Sequence, residues 1–538
     1  MGAKRVLTAV ITACSILLLA SCGDTIEYHY HYDRTDSKIT TTQKKATTTK
    51  KTTNSSTVGK TTTKKTTTKK TTTKATTTHA HQTTTRISSK QKIECVNKLK
   101  FYCWNNEFKN LVDDYYSNVN AYNATTTYLL DGTYIEWTFI ANAGSNYQDS
   151  LDTALGKDEV DMFAFEADYA SKYVYSDKVA DLTSVSRLNL SKQYKYTKDI
   201  VTNGTEIKGV SWMATPGVTI YNKNVSDSVW GTWNGEVLTY SPTITEISNK
   251  LSTETNFKNA AIEVKNANKF MMIGPDDWYK MYTNNISTRM WDGTDIIIAP
   301  ELFDWVNDTM DFYKKRYIRS VLEDYGLWGT EWGAEQGKDD CLCIFSVPWF
   351  TDYCLKGNRY AKGDNPDNMA IKEMSDANLR MSKSYKPWFW GGIWITATET
   401  GLAKDTITSS IEDLIKAMTT DKDTLKAMAK GTNLFVNNQD AINDLVIDDS
   451  LKLNYFGGQN PFAIYSESIT GLDLSNASKF DQTIIEEVQT AFKDYFQGWG
   501  TAVDAWENIK TSISTKTGVN KANIKLPNNE TSIDNLMD

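Results

Sequence analysis

VDMFAFEAD, Val160 to Asp168, is a short apolar run closed by two carboxylates. A run of that length reads as a buried strand whose acidic residues emerge at its carboxyl end. Two upstream stretches have the same character. KLKFYCW, Lys98 to Trp104, is a first strand that ends at Asn105-Asn106-Glu107-Phe108, with helix-like text through Tyr116. TYIEWTFI, Thr133 to Ile140, alternates as a second strand, and Tyr147 to Leu155 carries helical periodicity. A further helix is expected to start across Tyr169–Tyr175. Strand, helix, strand, helix at this spacing predicts a parallel sheet with crossover helices. In such sheets ligands meet the carboxyl ends of the strands. Trp104–Glu107 and Glu166–Asp168, about sixty residues apart, are therefore expected on one rim.

The chain continues well past this unit. Ser410–Met418, Asp423–Ala429 and Gln482–Trp506 carry helical periodicity. The region 93–538 is too long for one ordinary core, so two or more domains are expected. Residues 1–92 hold 17 of the 59 Lys and Arg and 4 of the 66 Asp and Glu, which leaves the remainder a formal net charge of −20. That argues against a polyanion as ligand, and so against nucleic acid. All four histidines (His29, His31, His79 and His81) lie before residue 93. Ser-His-Asp triads, Cys-His dyads and His-ligated zinc are thereby excluded from the rest. Cys95, Cys103, Cys341, Cys343 and Cys354 include no C-x-x-C pair. Cys341 and Cys343 would share one face of a strand, which suits core packing. No metal and no cofactor is expected.

The opening of the chain reads as an address. A basic start, Lys4-Arg5, precedes the apolar run Val6–Ala20. About 15 residues falls short of the ~20 that cross a bilayer and fits a signal-peptide core. Leu19-Ala20-Ser21-Cys22 resembles the lipobox of bacterial lipoproteins. The resemblance implies that 1–21 is removed, that Cys22 carries lipid, and that the protein sits on the outer face of the cell membrane. From Thr40 to Thr85 the text is nearly all Thr and Lys, as in TTTKKTTTKKTTTK. Such a stretch has little apolar surface to bury, so 22–92 is expected to be a disordered linker with a span of roughly 45 Å.

Five segments carry a second resemblance. They are EVDMFAFEADYASKYVYSDKVADLTSV (159–185), GVSWMATPGVTIYNKNV (209–225), CLCIFSVPWFTDYCL (341–355), YKPWFWGGIW (385–394) and YFGGQNPF (455–462). In this order they resemble the extracellular sugar-binding lipoproteins of ABC importers, the family that includes maltose-binding protein. The resemblance implies a two-lobed α/β, periplasmic-binding-protein-like fold with hinge crossovers and a ligand cleft. Lobe 1 would comprise 93–215 and 385–450, and lobe 2 would comprise 216–384 and 451–538. It also implies a monomer from a Gram-positive cell, an ABC permease as partner, and ligand capture by hinge closure without catalytic residues.

A neutral mono- or oligosaccharide is the expected ligand. A pyranose offers apolar C–H faces and a ring of hydroxyls, so its site pairs flat aromatic rings with planar hydrogen-bonding groups. By the resemblance Trp349 occupies the sugar-stacking position, and Asp277 with Trp278 forms an acidic–aromatic pair. Trp390, Trp212 beside the expected hinge, Asn105, Glu107, Glu166, Asp168 and Gln459 complete the candidate set. Trp388 and Trp390 would share one side of a strand, with Phe389 pointing away. Gly391-Gly392 would let backbone approach a ligand or bend between lobes. Two rival readings are a surface glycoside hydrolase using two carboxylates and a polysaccharide-adhesion lipoprotein without a transporter.

Overall fold

The computed structural model describes residues 95–116, 122–142, 145–320, 340–350 and 378–537, with only the backbone of Asp277. The signal segment, Cys22, the Thr/Lys linker and Cys354 lie outside these residues.

The first half builds one sheet. Strands β1 (Asn97–Cys103), β2 (Tyr122–Asn123), β3 (Thr126–Tyr128), β4 (Thr133–Phe139) and β5 (Met162–Glu166) are interleaved with helices α1 (Glu107–Tyr115) and α2 (Asn146–Gly156). The chain leaves through β6 (Val210–Ser211) into β7 (Val218–Asn222) and helix α3 (Asp276–Thr283). It then forms β8 (Cys343–Ser346) and β9 (Leu379–Lys383) before returning as β10 (Ile393–Ala397). Two of its last helices are α4 (Asp481–Phe496) and α5 (Ala502–Thr517).

The first sheet has the order β2-β3-β4-β1-β5-β10-β6. Its centre, β4-β1-β5, is parallel as the strand–helix alternation predicts, with Cys103 beside Phe139 and Tyr102 beside Phe163. The sheet as a whole is mixed, because β10 returns from outside and pairs antiparallel with both β5 and β6. β1 alternates, burying Leu99, Phe101 and Cys103, whereas four of the five residues of β5 are buried and only Glu166 emerges. A strand covered on both faces has this continuous apolar text.

The second sheet is antiparallel, in the order β8-β7-β9. Cys343 opens β8 and Cys341 stands just before it, both buried. Two crossovers, 212–217 and 384–392, join the sheets and run against each other. The Gly217 amide donates to the Trp388 carbonyl at 2.7 Å, and the Trp390 amide to the Thr215 carbonyl at 3.3 Å. A Cβ on Gly217 would stand 1.9 Å from the Trp388 ring, so this close approach requires glycine.

The periodic text 482–506 is two helices. It breaks at Gly498, whose φ is +74°, and restarts at Thr501 with a capping box to Asp504; such a box satisfies two backbone donors left orphaned at a helix start. No helix among the described residues is long and apolar enough to cross a membrane.

Candidate functional site

The carboxyl ends of β1, β4 and β5 form an acidic rim. Glu107 opens α1 directly after β1, with its backbone N–H donating to Asn105 Oδ1 at 3.0 Å in an exposed turn. Glu166 ends β5 and accepts a hydrogen bond from Asn142 Nδ2 at 3.1 Å. Behind them, Tyr147 donates to the Ala164 carbonyl at 2.7 Å and meets the Trp104 ring edge-on at 5.4 Å. These contacts fix the floor of the rim.

Burial pushes the Glu107 carboxyl up to about 7, with the Glu166 charge adding to it. Burial and the neighbouring Asp168 also push Glu166 up to about 7, against the Asn142 hydrogen bond. Asn142 Oδ1 is buried and has no hydrogen-bond partner among the described residues. A buried acceptor without a donor costs about 1–3 kcal/mol, so the rim is chemically suited to a ligand that brings donors. Asn142 was missed in the sequence, although it stands three residues beyond β4 and the strand-end rule points to it.

Aromatic surface adjoins the rim through the return crossover. The half-buried rings of Trp349 and Trp390 lie with centroids 4.8 Å apart at 56°. The Trp349 indole N–H donates to the Trp390 carbonyl at 3.1 Å. Two residues on, the Gly392 carbonyl accepts from the Ala167 amide at 3.2 Å, and Ile393 pairs in register with Glu166. The structure thus joins Trp349, Trp390, Glu166 and Glu107 at one end of the first sheet.

Asp168 is exposed beside this rim, and its carboxylate lies 3.6 Å from Lys280 Nζ on α3. Lys280 was not anticipated. Tyr169 is pushed up by burial and by the charges of Glu166, Glu486 and Asp168, and Glu486 belongs to α4.

Three candidates are placed elsewhere. Trp278 is fully buried, with Phe312 at 4.7 Å and Phe257 at 6.2 Å. Trp212 is fully buried and stacked on Phe108 at 4.5 Å. Neither ring faces a cleft. Gln459 spends its amide on β9: its oxygen accepts from the Met381 amide and its nitrogen donates to the Met381 carbonyl, both at 2.8 Å. In the opening of the return crossover Trp388 is also fully buried, donating to Ser384 Oγ at 2.9 Å. The Asp277 side chain lies outside the described residues. Among the described residues no group of three His, Cys, Asp or Glu is placed to hold a metal ion. Cavities of about 190 and 310 Å³ lie elsewhere, one beside Asp158 and Glu399 and one beside Tyr194 and Asp473, lined by none of the candidates.

No family model matches the chain, and no curated protein matches it. Solved structures do. One described as an extracellular solute-binding protein of family 1 is 14% identical, with a TM-score of 0.61 over 78% of this chain and 99% of its own. The sugar-binding protein MalE of Xanthomonas citri is 10% identical, with a TM-score of 0.54 over 79% and 99%. An ABC substrate-binding protein of Listeria monocytogenes, in complex with cycloalternan, is 14% identical, with a TM-score of 0.52 over 78% and 99%. The chain therefore has the two-lobed α/β fold of the extracellular solute-binding proteins.

Proposed function

We propose that this protein captures a neutral mono- or oligosaccharide between its lobes and delivers it intact to an ABC permease. The observation that carries the reading is that the crossover bearing the Trp349–Trp390 ring pair bonds through Gly392 and Ile393 to the strand end of Glu166, whose rim also holds Glu107 and Asn142. Indole faces suit the C–H faces of a pyranose, and its hydroxyls can supply the donor that Asn142 Oδ1 lacks. The cycloalternan held by the Listeria protein is such a ligand. Lobes built from 93–215 with 385–450, and from 216–384 with 451–538, would close about the two crossovers. Closure is a shift toward the state that the ligand binds better. Lipid on Cys22 would hold the molecule at the outer face of the membrane as a monomer, with the Thr/Lys segment as spacer.

The paired carboxyls of Glu107 and Glu166, both raised to about 7, favour one rival, a hydrolase with one carboxyl as acid. A thermal-shift panel of mono- and oligosaccharides, followed by chromatography of the incubated sugars, separates the two. Stabilisation with the sugar recovered intact supports capture. Released shorter sugar overturns it in favour of hydrolysis, and no shift with any member of the panel removes the carbohydrate reading.

A further inference from the structure

The ring at the stacking position is fastened to the crossover itself. The Trp349 indole N–H donates to the Trp390 carbonyl at 3.1 Å, immediately before Gly391 and Gly392, whose φ values are +68° and +100°. Residues with side chains rarely adopt that conformation. A Cβ on Gly391 would stand 3.0 Å from Trp349 Nε1 and 3.5 Å from Cε2 and Cζ2. The bare Cα is therefore the seat of the indole. The same short segment reaches both neighbours. The Gly391 carbonyl accepts from Thr215 Oγ1 of the opposing crossover at 3.1 Å, and the Gly392 carbonyl accepts from Ala167 next to the rim residue Glu166.

We infer that Gly391 is a positioning residue that seats the Trp349 indole on the interlobe crossover, so that a ligand stacked on this ring acts directly on the segment that bends. The inference rests on the proposed cleft for its ligand, but the mechanical link exists without one. The ring and the crossover backbone share a hydrogen bond and a van der Waals seat, so a change in the orientation of one disturbs the other. Ligand contact and hinge angle are then two readings of one local arrangement, which is the physical content of coupling between a site and a conformational change.

Hydrogen–deuterium exchange on the full chain, with no saccharide present, tests this. Trp349→Phe keeps an aromatic ring and deletes the N–H donor. Exchange in a peptide covering 385–395 is expected to rise about five- to tenfold, the loss of one hydrogen bond, while β1 stays unchanged. Gly391→Ala is expected to raise crossover exchange as well, through the seat and through its φ. The double variant separates these effects. If the seat matters, the smaller ring makes room for the Cβ, and Gly391→Ala with Trp349→Phe exchanges more slowly than Gly391→Ala alone. Unchanged crossover exchange in Trp349→Phe overturns the inference, as does a double variant that exchanges faster than Gly391→Ala. Should Gly391→Ala fail to fold, Gly391→Asn, a residue that tolerates the left-handed conformation, supplies the Cβ in its place, alone and with Trp349→Phe. Because no sugar enters the measurement, a failed saccharide panel leaves its outcome readable, and a failed exchange test leaves the capture reading standing.

Discussion

Truncating either of two tryptophans, Trp349 or Trp278, is expected to have opposite consequences. Trp349 is half-buried against Trp390. Trp349→Ala should abolish the thermal shift given by the best saccharide of the panel, while ligand-free melting moves by only a few degrees. Trp278 is closed in by Phe257 and Phe312. Trp278→Ala should cost about 3–5 kcal/mol in denaturant unfolding and leave ligand affinity per folded molecule unchanged. The sequence could not separate these two residues, because exposure depends on what distant segments bring to a ring. Resemblance put Trp349 at the stacking position and favoured it over Trp278, but it still placed Trp278 in an acidic–aromatic pair among the candidates. The rim carboxyls give a second residue-scale prediction. Glu107 and Glu166 rise from an ordinary value of 4.5 to about 7, so between those limits the folded chain holds more protons than the unfolded one. Their contribution to stability therefore falls as pH rises from about 4.5 to 7 and levels off above. Glu166→Gln should flatten that fall by roughly 1–2 kcal/mol, read as unfolding midpoints in urea at pH 5 and pH 7.5. A wild-type profile that climbs across the window would contradict the assignment.

At the scale of elements, the parts legible in advance were those specified locally. β1, β4 and β5 fall where apolar alternation and closing carboxylates put them, with ends within two residues of expectation. The split of 482–506 into α4 and α5 was also written in the text, in Gly498-Trp499-Gly500 and in the Thr501/Asp504 box, but a count of periodicity alone runs through it. The second sheet was illegible for a different reason. β7 pairs with β8 and β9, more than a hundred residues away, and no local pattern names a strand's partner. The same limit misplaced Gln459, whose Gly-rich surroundings resemble a ligand loop. Its side chain extends the β9 ladder through both polar atoms on Met381. Gln459→Ala should therefore cost about 1–3 kcal/mol of stability by orphaning two backbone groups, with saccharide affinity unchanged. A selective loss of affinity in calorimetry, at unaltered stability, would return Gln459 to the site.

For the whole molecule, the proposed capture would depend on a balance between open and closed arrangements, and one of the contacts between the surroundings of the two sheets would bear on it. Asp168 follows the rim strand of the first sheet, and Lys280 stands on α3, whose Trp278 packs through Phe257 toward Phe345 of the second sheet. The 3.6 Å pair therefore ties together the surroundings of the two sheets, beside other contacts such as that of Lys195 with Asp473. Both side chains are partly open to water, so the pair is worth about 0–1 kcal/mol, at most a fivefold bias toward closure. An exposed pair is also screened within a Debye length of about 8 Å at physiological salt. Lys280→Met keeps the side chain's bulk and removes its charge. Saccharide affinity should fall by less than about fivefold at low salt, and the difference from wild type should vanish near 1 M salt, where the Debye length is about 3 Å. Calorimetric titrations of both proteins at the two salt concentrations read this directly. A loss that persists in high salt would mean that Lys280 touches the sugar itself, and no loss at low salt would mean that closure does not use this pair.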